Sequence, residues 1–255
     1  MQLKKYLDDI NSVDGWCIPE LWNCIKPIDM FQRKNDIHGP IGEIGVYHGK
    51  FFIGLALTKA DEKGHTAIDV FDMQRFNLDN AGQGSLQQLT DNAEKYGVTD
   101  FETITADSLR LRENIINEHK DKFSLFSVDG CHMVEHTIND FKIAMQMVKK
   151  EGVIFIDDYY NPNWPGVQEG VVKYYLTNTP DFVPFLFTCN KLFLCSLSLH
   201  SQYLNFVSKY LHKFYTTSKI KKVKRFGYDS LTVIPDRKLR KYLVTAEEAS
   251  QQQPA

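Results

Sequence analysis

The 255-residue chain lacks the features that mark several large classes of protein. It has no apolar run long enough to cross a bilayer, and its N-terminus turns acidic before an apolar stretch develops. We therefore expect neither a membrane span nor a secretion signal. It also has almost no net charge, since 30 lysines and arginines face 32 aspartates and glutamates. A general attraction to nucleic acid or anionic lipid is not expected.

Cysteine is scarce and irregularly placed. The five residues are odd in number and include no CxxC pair, which argues against a disulfide scaffold or a zinc site and favours reduced thiols in the cytoplasm. With 43% hydrophobic and 24% charged residues, the composition is that of an ordinary globular protein with a core of normal size.

The sequence does contain an alternation of strand-like and helix-like segments between residues 39 and 158. Parallel strands need crossovers, and helices are the usual ones, so the alternation predicts a doubly wound α/β sheet. The predicted strands cover 39–45, 65–72, 101–106, 123–129 and 152–158, and the predicted helices cover 48–61, 85–96, 108–119 and 133–149.

The flanking segments have a different character. Residues 18–33 predict one or two helices interrupted at Pro27. Residues 182–187 and 191–198 predict two strands whose gap is short enough only for an antiparallel turn. The further predicted elements are a helix over 201–215, a solvated basic connector over 213–225 and an edge strand over 229–235.

We therefore expect a doubly wound, Rossmann-like mixed sheet of about seven strands, with an antiparallel C-terminal hairpin and N-terminal helices. The predicted divisions are an N-terminal helical segment at 1–38, a main domain at 39–200, a C-terminal helix and basic extension at 201–246, and a disordered tail at 247–255.

Ligands of such sheets bind at the carboxyl ends of the strands, so the polar residues there are site candidates. The first strand is followed by Gly45 and Gly49, which allow a tight turn and close approach of a ligand to the backbone. The fingerprint GxGxxG is absent because Tyr47 stands at its second glycine, so a ligand without a pyrophosphate is favoured. A plain turn without a ligand is the alternative.

Two acids follow the next strands. Asp69 lies 24 residues after Gly45, where an acid that binds a ribose hydroxyl pair is expected, and Asp72 is the competing candidate. Asp107, which precedes Ser108, is a candidate to accept a hydrogen bond from an adenine amino group or to cap a helix.

Three more aspartates, Asp129, Asp157 and Asp158, follow the fourth and fifth strands. Like charges at one sheet edge repel each other unless a cation or proton offsets them, and carboxylate oxygens suit Mg²⁺. Separate helix caps and loop acids are the alternative. His132 is placed to take a proton at neutral pH, whereas His136 is expected at the surface.

Five motifs together resemble the class I S-adenosylmethionine-dependent methyltransferases. More narrowly, they resemble the metal-dependent O-methyltransferases that act on sugars and other hydroxylated natural products. The motifs are EIGVYHGK, AIDVF, ADS, VDGCHMVEHTINDF and GVIFIDDYYNPNWPGVQEG, and the resemblance as a whole runs from about Gly39 to Leu194. The resemblance implies that 39–200 is the methyltransferase domain and that S-adenosylmethionine and Mg²⁺ are its cofactors.

The resemblance also implies roles for single residues. In the cofactor site, a first loop would surround the methionine part, Asp69 would hold the ribose, and Asp107 and Ser108 would flank the adenine. The first-loop residues are Glu43, Gly45 and Gly49.

On the acceptor side, the resemblance implies a metal held by acids and a general base, with Asp129 and His132 as the catalytic residues. Asp129, Asp157 and Asp158 match the metal-binding acids, His132 matches the base, and Asn161 and Trp164 would border the acceptor.

The implied function is transfer of a methyl group to a hydroxyl of a small acceptor. Positioning would supply most of the rate, Mg²⁺ would lower the pKa of the hydroxyl, and a vicinal diol would chelate the metal best. Three alternatives stay open: a non-catalytic S-adenosylmethionine-binding module, an NAD-dependent oxidoreductase, and, less favoured, a nucleic-acid methyltransferase that uses the basic run. A homo-oligomer is compatible with the sequence.

Overall fold

The computed structural model describes residues 2–236, whose nine strands join in a single sheet. The strands are β1 (Ile41–Ile44), β2 (His65–Asp69), β3 (Phe101–Thr105), β4 (Phe123–Val128), β5 (Val148–Ile156), β6 (Phe182–Thr188), β7 (Lys191–Ser196), β8 (Ile220–Arg225) and β9 (Tyr228–Val233). The α-helices are α1 (Gln2–Asp8), α2 (Trp22–Lys34), α3 (Lys50–Thr58), α4 (Leu86–Lys95), α5 (Glu113–Glu118), α6 (Val134–Met147), α7 (Pro165–Thr177) and α8 (His200–Leu211).

The strand order is β3-β2-β1-β4-β5-β7-β6-β9-β8, and the first five strands of that order are parallel. The chain reverses its direction of travel across the sheet between β1 and β4. In open α/β sheets a crevice forms at such a reversal, outside the carboxyl ends of the strands. The expected Rossmann-like mixed sheet is thus confirmed.

The β6–β7 hairpin confirms the predicted antiparallel finish. Its turn consists of Cys189 and Asn190, both with positive φ (49° and 66°). Two-residue turns with positive φ match the twist of a hairpin, and Asn tolerates this conformation better than most residues. The hairpin then pairs β7 antiparallel to β5, which carries the turn to the same edge as the end of β5.

Both faces of the sheet are buried. Side chains of β4 and β5 alternate between two apolar clusters, so that Leu125 and Phe155 face one layer while Phe126 and Ile154 face the other. Helices α1 to α4 and α8 cover the first face, and α5 to α7 cover the second. This arrangement explains why the strands of the sequence read as nearly continuous hydrophobic runs.

Two sequence predictions need correction. Helix α2 continues through Pro27, which is buried and lies near enough to the start of the helix that few backbone hydrogen bonds are lost. The basic run is not a connector, because Lys221, Lys222 and Lys224 belong to β8. Strand β8 is the sheet edge, where exposed lysines oppose pairing with other chains.

The sheet has nine strands rather than about seven, because the basic run forms β8 and pairs with β9. Strand β9 was expected at the edge but lies inside the sheet, parallel to β6 and antiparallel to β8. Helices α1 and α7 were not predicted, and the predicted helix at 108–119 is a 3₁₀ turn followed by the short α5. The predicted tail at 247–255 lies outside the described residues.

None of the helices within residues 2–236 combines the length and the apolar character needed to cross a lipid bilayer.

His65, the first residue of β2, should make the stability of the protein depend on pH. His65 is buried, its Nδ1 accepts the backbone N–H of Ile41 at 3.1 Å, and burial lowers its pKa from 6.5 to about 4. Between these two values the unfolded chain binds a proton that the folded protein excludes. Unfolding should therefore become easier by about 3 kcal/mol as the pH falls from about 6.5 to 4.

Urea titrations at pH 7 and pH 4.5 test this prediction with His65→Gln, which cannot titrate. The free energy of unfolding of the variant should fall less with acid than that of the wild type. His38→Gln, at an exposed histidine, should behave like the wild type. Equal acid sensitivity of the wild type and His65→Gln would contradict the assignment.

Candidate active site

A cavity of about 780 Å³ opens at the carboxyl ends of the parallel strands. Its floor is formed by residues that directly follow β1 to β5, and its walls by residues 15–18, by parts of the segment 74–84 and by the β6–β7 turn. The cavity lies where the strand order reverses, as expected for a ligand site of this fold.

Backbone hydrogen bonds place the site residues side by side. The ladder continues one residue beyond the strands, from Gly45 N–H to Ile68 C=O (2.9 Å), from Asp129 N–H to Ile44 C=O (2.8 Å) and from Asp157 N–H to Val128 C=O (3.0 Å). Since parallel strands run in register here, residues that are remote in sequence meet at one edge.

Gly45 makes this close approach possible. Its φ is 81°, and a β-carbon at this position would lie 1.7 Å from the carbonyl oxygen of Asp129. Gly49 also has positive φ (89°) and begins α3. Gly45 lines the cavity, whereas Gly49 and Glu43 are buried behind it. Of the predicted first loop, only Gly45 is thus exposed to a ligand.

Glu43 lies within β1 and is 1% exposed. Its two carboxylate oxygens have no hydrogen-bond partner among the described residues. Burial raises the pKa of Glu43 to about 8, although the charge of Lys191 opposes this rise. Burial therefore favours the neutral form of Glu43.

Asp69 binds the backbone of the glycine turn. Its Oδ2 accepts the N–H groups of Val46 (2.7 Å) and Tyr47 (2.9 Å), and its Oδ1 accepts that of Phe71 (2.7 Å). Burial raises the pKa of Asp69 and the three N–H groups counteract the shift. Asp69 lines the cavity, while the competing candidate Asp72 is exposed and does not.

Asp107 serves as a cap and also faces the cavity. Its Oδ1 accepts the N–H of Leu109 at 3.1 Å, and its Oδ2 lies 3.4 Å from Nε of Arg110. Ser108 lines the cavity beside it. The two alternatives left open by the sequence, capping and ligand contact, are therefore compatible in one residue.

The three strand-end aspartates do meet, but they differ in their partners. Asp157 forms an ion pair with the buried Lys191, and its Oδ1 accepts the N–H of Asp158 at 2.8 Å. Oδ2 of Asp129 lies 3.9 Å from Nζ of the same lysine. Burial and the neighbouring Asp157 raise the pKa of Asp129 well above its usual range.

Lys191 is the cation on which this edge depends. It is 2% exposed, and its Nζ also lies 4.3 Å from the ring centre of Phe51. Burial alone would lower its pKa, but Asp157 and Asp129 outweigh burial and raise it. Sequence reasoning missed this residue, although it is the one charge within the apolar run KLFLC.

His132 is held on both sides by carboxylates. Oδ2 of Asp79 lies 2.7 Å from its Nδ1 and also accepts its backbone N–H at 2.7 Å, while Nε2 lies 3.1 Å from Oδ2 of Asp158. Burial opposes protonation, but the hydrogen bonds to Asp158 and Asp79 raise the pKa of His132 to about 10. Its ring stacks on Trp164 at 4.4 Å.

Asp79 was not predicted, because it lies in an irregular segment with no motif. Its contacts fix the orientation of the imidazole, so Nε2 is the atom presented to Asp129 and Asp158. Oδ1 of Asp158 in turn accepts the amide N–H groups of Asn161 (2.9 Å) and Asn190 (2.6 Å). Burial opposes ionisation of Asp158, but its hydrogen bonds outweigh burial and lower its pKa.

Asp129, His132 and Asp158 can each offer one atom to a metal ion, and these atoms lie within 4.8 Å of one another. The four carboxylates of the cluster, Asp79, Asp129, Asp157 and Asp158, face two cationic side chains, Lys191 and His132. If all four are ionised, two negative charges remain uncompensated, and burial together with the neighbouring Asp157 raises the pKa of Asp129. The donor set therefore fits a divalent cation.

His136 is not at the surface, as the sequence had suggested. It is 4% exposed and faces the cavity from the first turn of α6. Helical periodicity identifies which face a residue shares but not what covers that face, and here the loop after β3 does so.

Comparison with known proteins agrees with this geometry. Residues 43–159 match the family described as "Methyltransferase domain". No curated protein matches the chain in sequence. The match covers the end of β1, the glycine turn, β2 to β5 and the acidic cluster up to Tyr159.

Three solved structures share the fold. The O-methyltransferase NovP is 13% identical, with a TM-score of 0.55 and coverage of 70% of this chain and 80% of its own. CalS11, a TDP-rhamnose 3'-O-methyltransferase of calicheamicin biosynthesis, is 15% identical (TM-score 0.50, coverage 76% and 93%). MycE of the mycinamycin pathway, solved with Mg, SAH and mycinamycin VI, is 15% identical (TM-score 0.50, coverage 77% and 54%).

The Lys191–Asp157 pair yields a stability prediction. Lys191→Met should lower the free energy of unfolding by about 3–5 kcal/mol, because it leaves buried carboxylates without a counter-charge. Adding Asp157→Asn should recover a part of that loss. Urea unfolding of both single variants and the double variant measures the coupling.

The matched control is Lys224→Met. Lys224 pairs with Asp229 at 3.3 Å, but both side chains are largely exposed, so a change within about 0.5 kcal/mol is expected. If Lys191→Met proved as mild as Lys224→Met, the central role of the buried ammonium would be refuted.

Proposed function

We propose that this chain transfers the methyl group of S-adenosylmethionine to a hydroxyl of a small, sugar-like or otherwise hydroxylated acceptor. The match of residues 43–159 to the family described as "Methyltransferase domain" supports the proposal. The observation that carries the proposal is one continuous cavity. It is lined on one side by Asp107, Asp69 and Gly45, which follow β3, β2 and β1, and on the other side by the Asp129–His132–Asp158 cluster, which follows the neighbouring strands β4 and β5.

The first end suits the cofactor. Gly45 exposes backbone that a ligand can approach closely, Asp69 and Asp107 supply acceptors for hydroxyl and amino groups, and Ser108 lies beside Asp107. Glu43 and Gly49 would support this end from behind, since neither lines the cavity. Asp69 has three N–H partners and about one carboxylate acceptor position left, which restricts it to a single further hydrogen bond.

The second end suits the acceptor. His132 presents Nε2 towards Asp129 and Asp158, and Asn161 and Trp164 line the same part of the cavity. Two of the structural neighbours are described with acceptors that support this class: TDP-rhamnose for CalS11 and mycinamycin VI for MycE. With the cofactor at the first end and the acceptor at the second, a hydroxyl oxygen of the acceptor would lie next to the sulfonium methyl. Most of the rate enhancement would then come from positioning.

We further propose that the acidic end holds Mg²⁺. Asp129 and Asp158 would be its carboxylate ligands, with Nε2 of His132 as the third donor or as the base beside it, while Asp157 would act through its pair with Lys191. A bound divalent cation lowers the pKa of a hydroxyl that it contacts, and two adjacent hydroxyls would bind it best.

The residues of the chain have their own part in proton transfer. Asp79 holds Nδ1 of His132, so the proton of an acceptor hydroxyl would pass to Nε2. For this, Nε2 must first lose the proton that it shares with Asp158, and a cation beside Asp158 would favour that loss by charge repulsion.

The proposal also includes the cellular compartment and the class of acceptor. The five cysteines are free thiols, which supports a reducing compartment such as the cytoplasm. The acceptor is proposed to be a small molecule rather than nucleic acid, because the lysines of β8 lie at the far edge of the sheet and none lines the cavity.

The proposal predicts that the purified protein binds S-adenosylhomocysteine in a calorimeter at micromolar concentration. With labelled S-adenosylmethionine, it should methylate members of a panel of TDP-deoxysugars and catechols. EDTA should lower the rate at least about 10-fold, and Mg²⁺ should restore it. Absence of S-adenosylhomocysteine binding would refute the methyltransferase, whereas full activity in EDTA would refute only the metal.

A second prediction separates the two ends of the cavity. Asp158→Asn should lower the Mg²⁺-dependent rate about 10- to 100-fold, because it removes a carboxylate ligand, yet leave the affinity for S-adenosylhomocysteine within about 2-fold. Asp229→Asn, at an exposed aspartate of β9, is the matched control and should change neither value. An unchanged rate in Asp158→Asn would exclude it as a ligand.

A further inference from the structure

We propose that His136 reads the base of the cofactor, donating a hydrogen bond from its imidazole to a ring nitrogen while Asp107 accepts from the neighbouring amino group. This rests on the proposed function and assigns a specificity-determining residue within it. The chemical class recognised is an aminopurine whose acceptor nitrogen adjoins an exocyclic amino group.

The first observation is an unsatisfied side chain. His136 is only 4% exposed and lines the cavity. Neither of its ring nitrogens has a hydrogen-bond partner among residues 2–236. Buried polar groups nearly always have partners, and an orphan calls for an explanation. The other buried histidines within residues 2–236, namely His48, His65, His119 and His200, each have a partner for at least one ring nitrogen. A ring with no partner on either nitrogen is thus found only at the cavity wall in this part of the chain.

The second observation is the spacing to Asp107. Nε2 of His136 lies 3.9 Å from Oδ1 of Asp107, which is too long for a hydrogen bond between them. The two atoms thus form a donor and an acceptor that are side by side and not bonded to each other. A ligand edge that presents an acceptor next to a donor complements them.

The position of this pair is fixed by the fold. Asn139, three residues after His136 and on the same face of α6, donates to the carbonyl oxygen of Ser108 at 3.0 Å. This bond fastens α6 to the loop after β3, and so sets the distance between His136 and Asp107. Asp107 follows β3, the outermost parallel strand, whereas the acidic cluster follows β4 and β5.

Adenine has the matching pattern. Its exocyclic amino group donates, and the adjoining ring nitrogens N1 and N7 accept. A 6-oxo purine would instead turn a carbonyl oxygen towards the Asp107 carboxylate. A buried site that hydrogen-bonds its ligand rejects analogues that leave its groups unpaired, so His136 and Asp107 together would select the base.

The test uses calorimetry with S-adenosylhomocysteine and its 1-deaza and 7-deaza analogues, in each of which one ring nitrogen is replaced by C–H. The wild type should bind one of the two analogues at least about 10-fold more weakly than the parent. His136→Phe should bind the parent about 10-fold more weakly, and that analogue no more weakly than the parent, because the lost contact is then absent from both.

Stability gives a second readout that a merely structural histidine would not produce. The ligand-free His136→Phe protein should melt at the same temperature as the wild type or higher, since it removes unpaired buried nitrogens. His200→Phe is the control: its Nε2 is bonded to the carbonyl oxygen of Asp229 at 2.8 Å outside the cavity. This variant should melt lower and bind S-adenosylhomocysteine normally.

The outcomes are distinguishable. If the wild type does not bind S-adenosylhomocysteine, the proposed function fails and this inference with it. If it binds, but both deaza analogues bind equally well or His136→Phe retains full affinity, only the role of His136 is overturned. If the deaza penalty persists in His136→Phe, another residue reads the base.

Discussion

One buried ammonium group makes the chemistry of this sheet edge possible. Nζ of Lys191 lies against the carboxylates that end β4 and β5, and it has almost no contact with water. Without it, the buried Asp157 and the half-buried Asp129 would be two anions a short distance apart, an arrangement that proteins avoid by protonation or unfolding. The lysine compensates one charge and leaves the rest of the cluster negative and open to the cavity.

The backbone around Lys191 places the lysine and the aspartates next to each other. The two-residue turn of Cys189 and Asn190 brings β7 back antiparallel to β5, which delivers Lys191 beside Asp157. Asn190 also donates to Asp158, so one turn supplies a charge to one aspartate and a neutral donor to the next. Gly45 completes the packing by letting β1 approach the carbonyl of Asp129. A substitution at Cys189, Asn190 or Gly45 would therefore shift the positions of the aspartates relative to Lys191.

Much of this could be read from the sequence because parallel strands impose simple rules. Alternating segments fix which residues end each strand, and register then brings Gly45, Asp69, Asp129 and Asp157 to one edge. Partners that arrive from irregular segments follow no period, which is why Asp79 was missed. His136 was misplaced because a helix pattern cannot show that a loop covers its face, and the lysines of β8 concealed a strand because an edge strand can be charged along much of its length.

The order in which these charges appear along the chain has a consequence for biosynthesis. The acids that follow β4 and β5 leave the ribosome well before Lys191, the buried lysine that faces them. A nascent chain that ends near residue 160 already holds the five parallel strands and His132, yet Asp157 lacks its lysine partner. The charge pairing at this edge is therefore complete only after the β6–β7 hairpin has been translated.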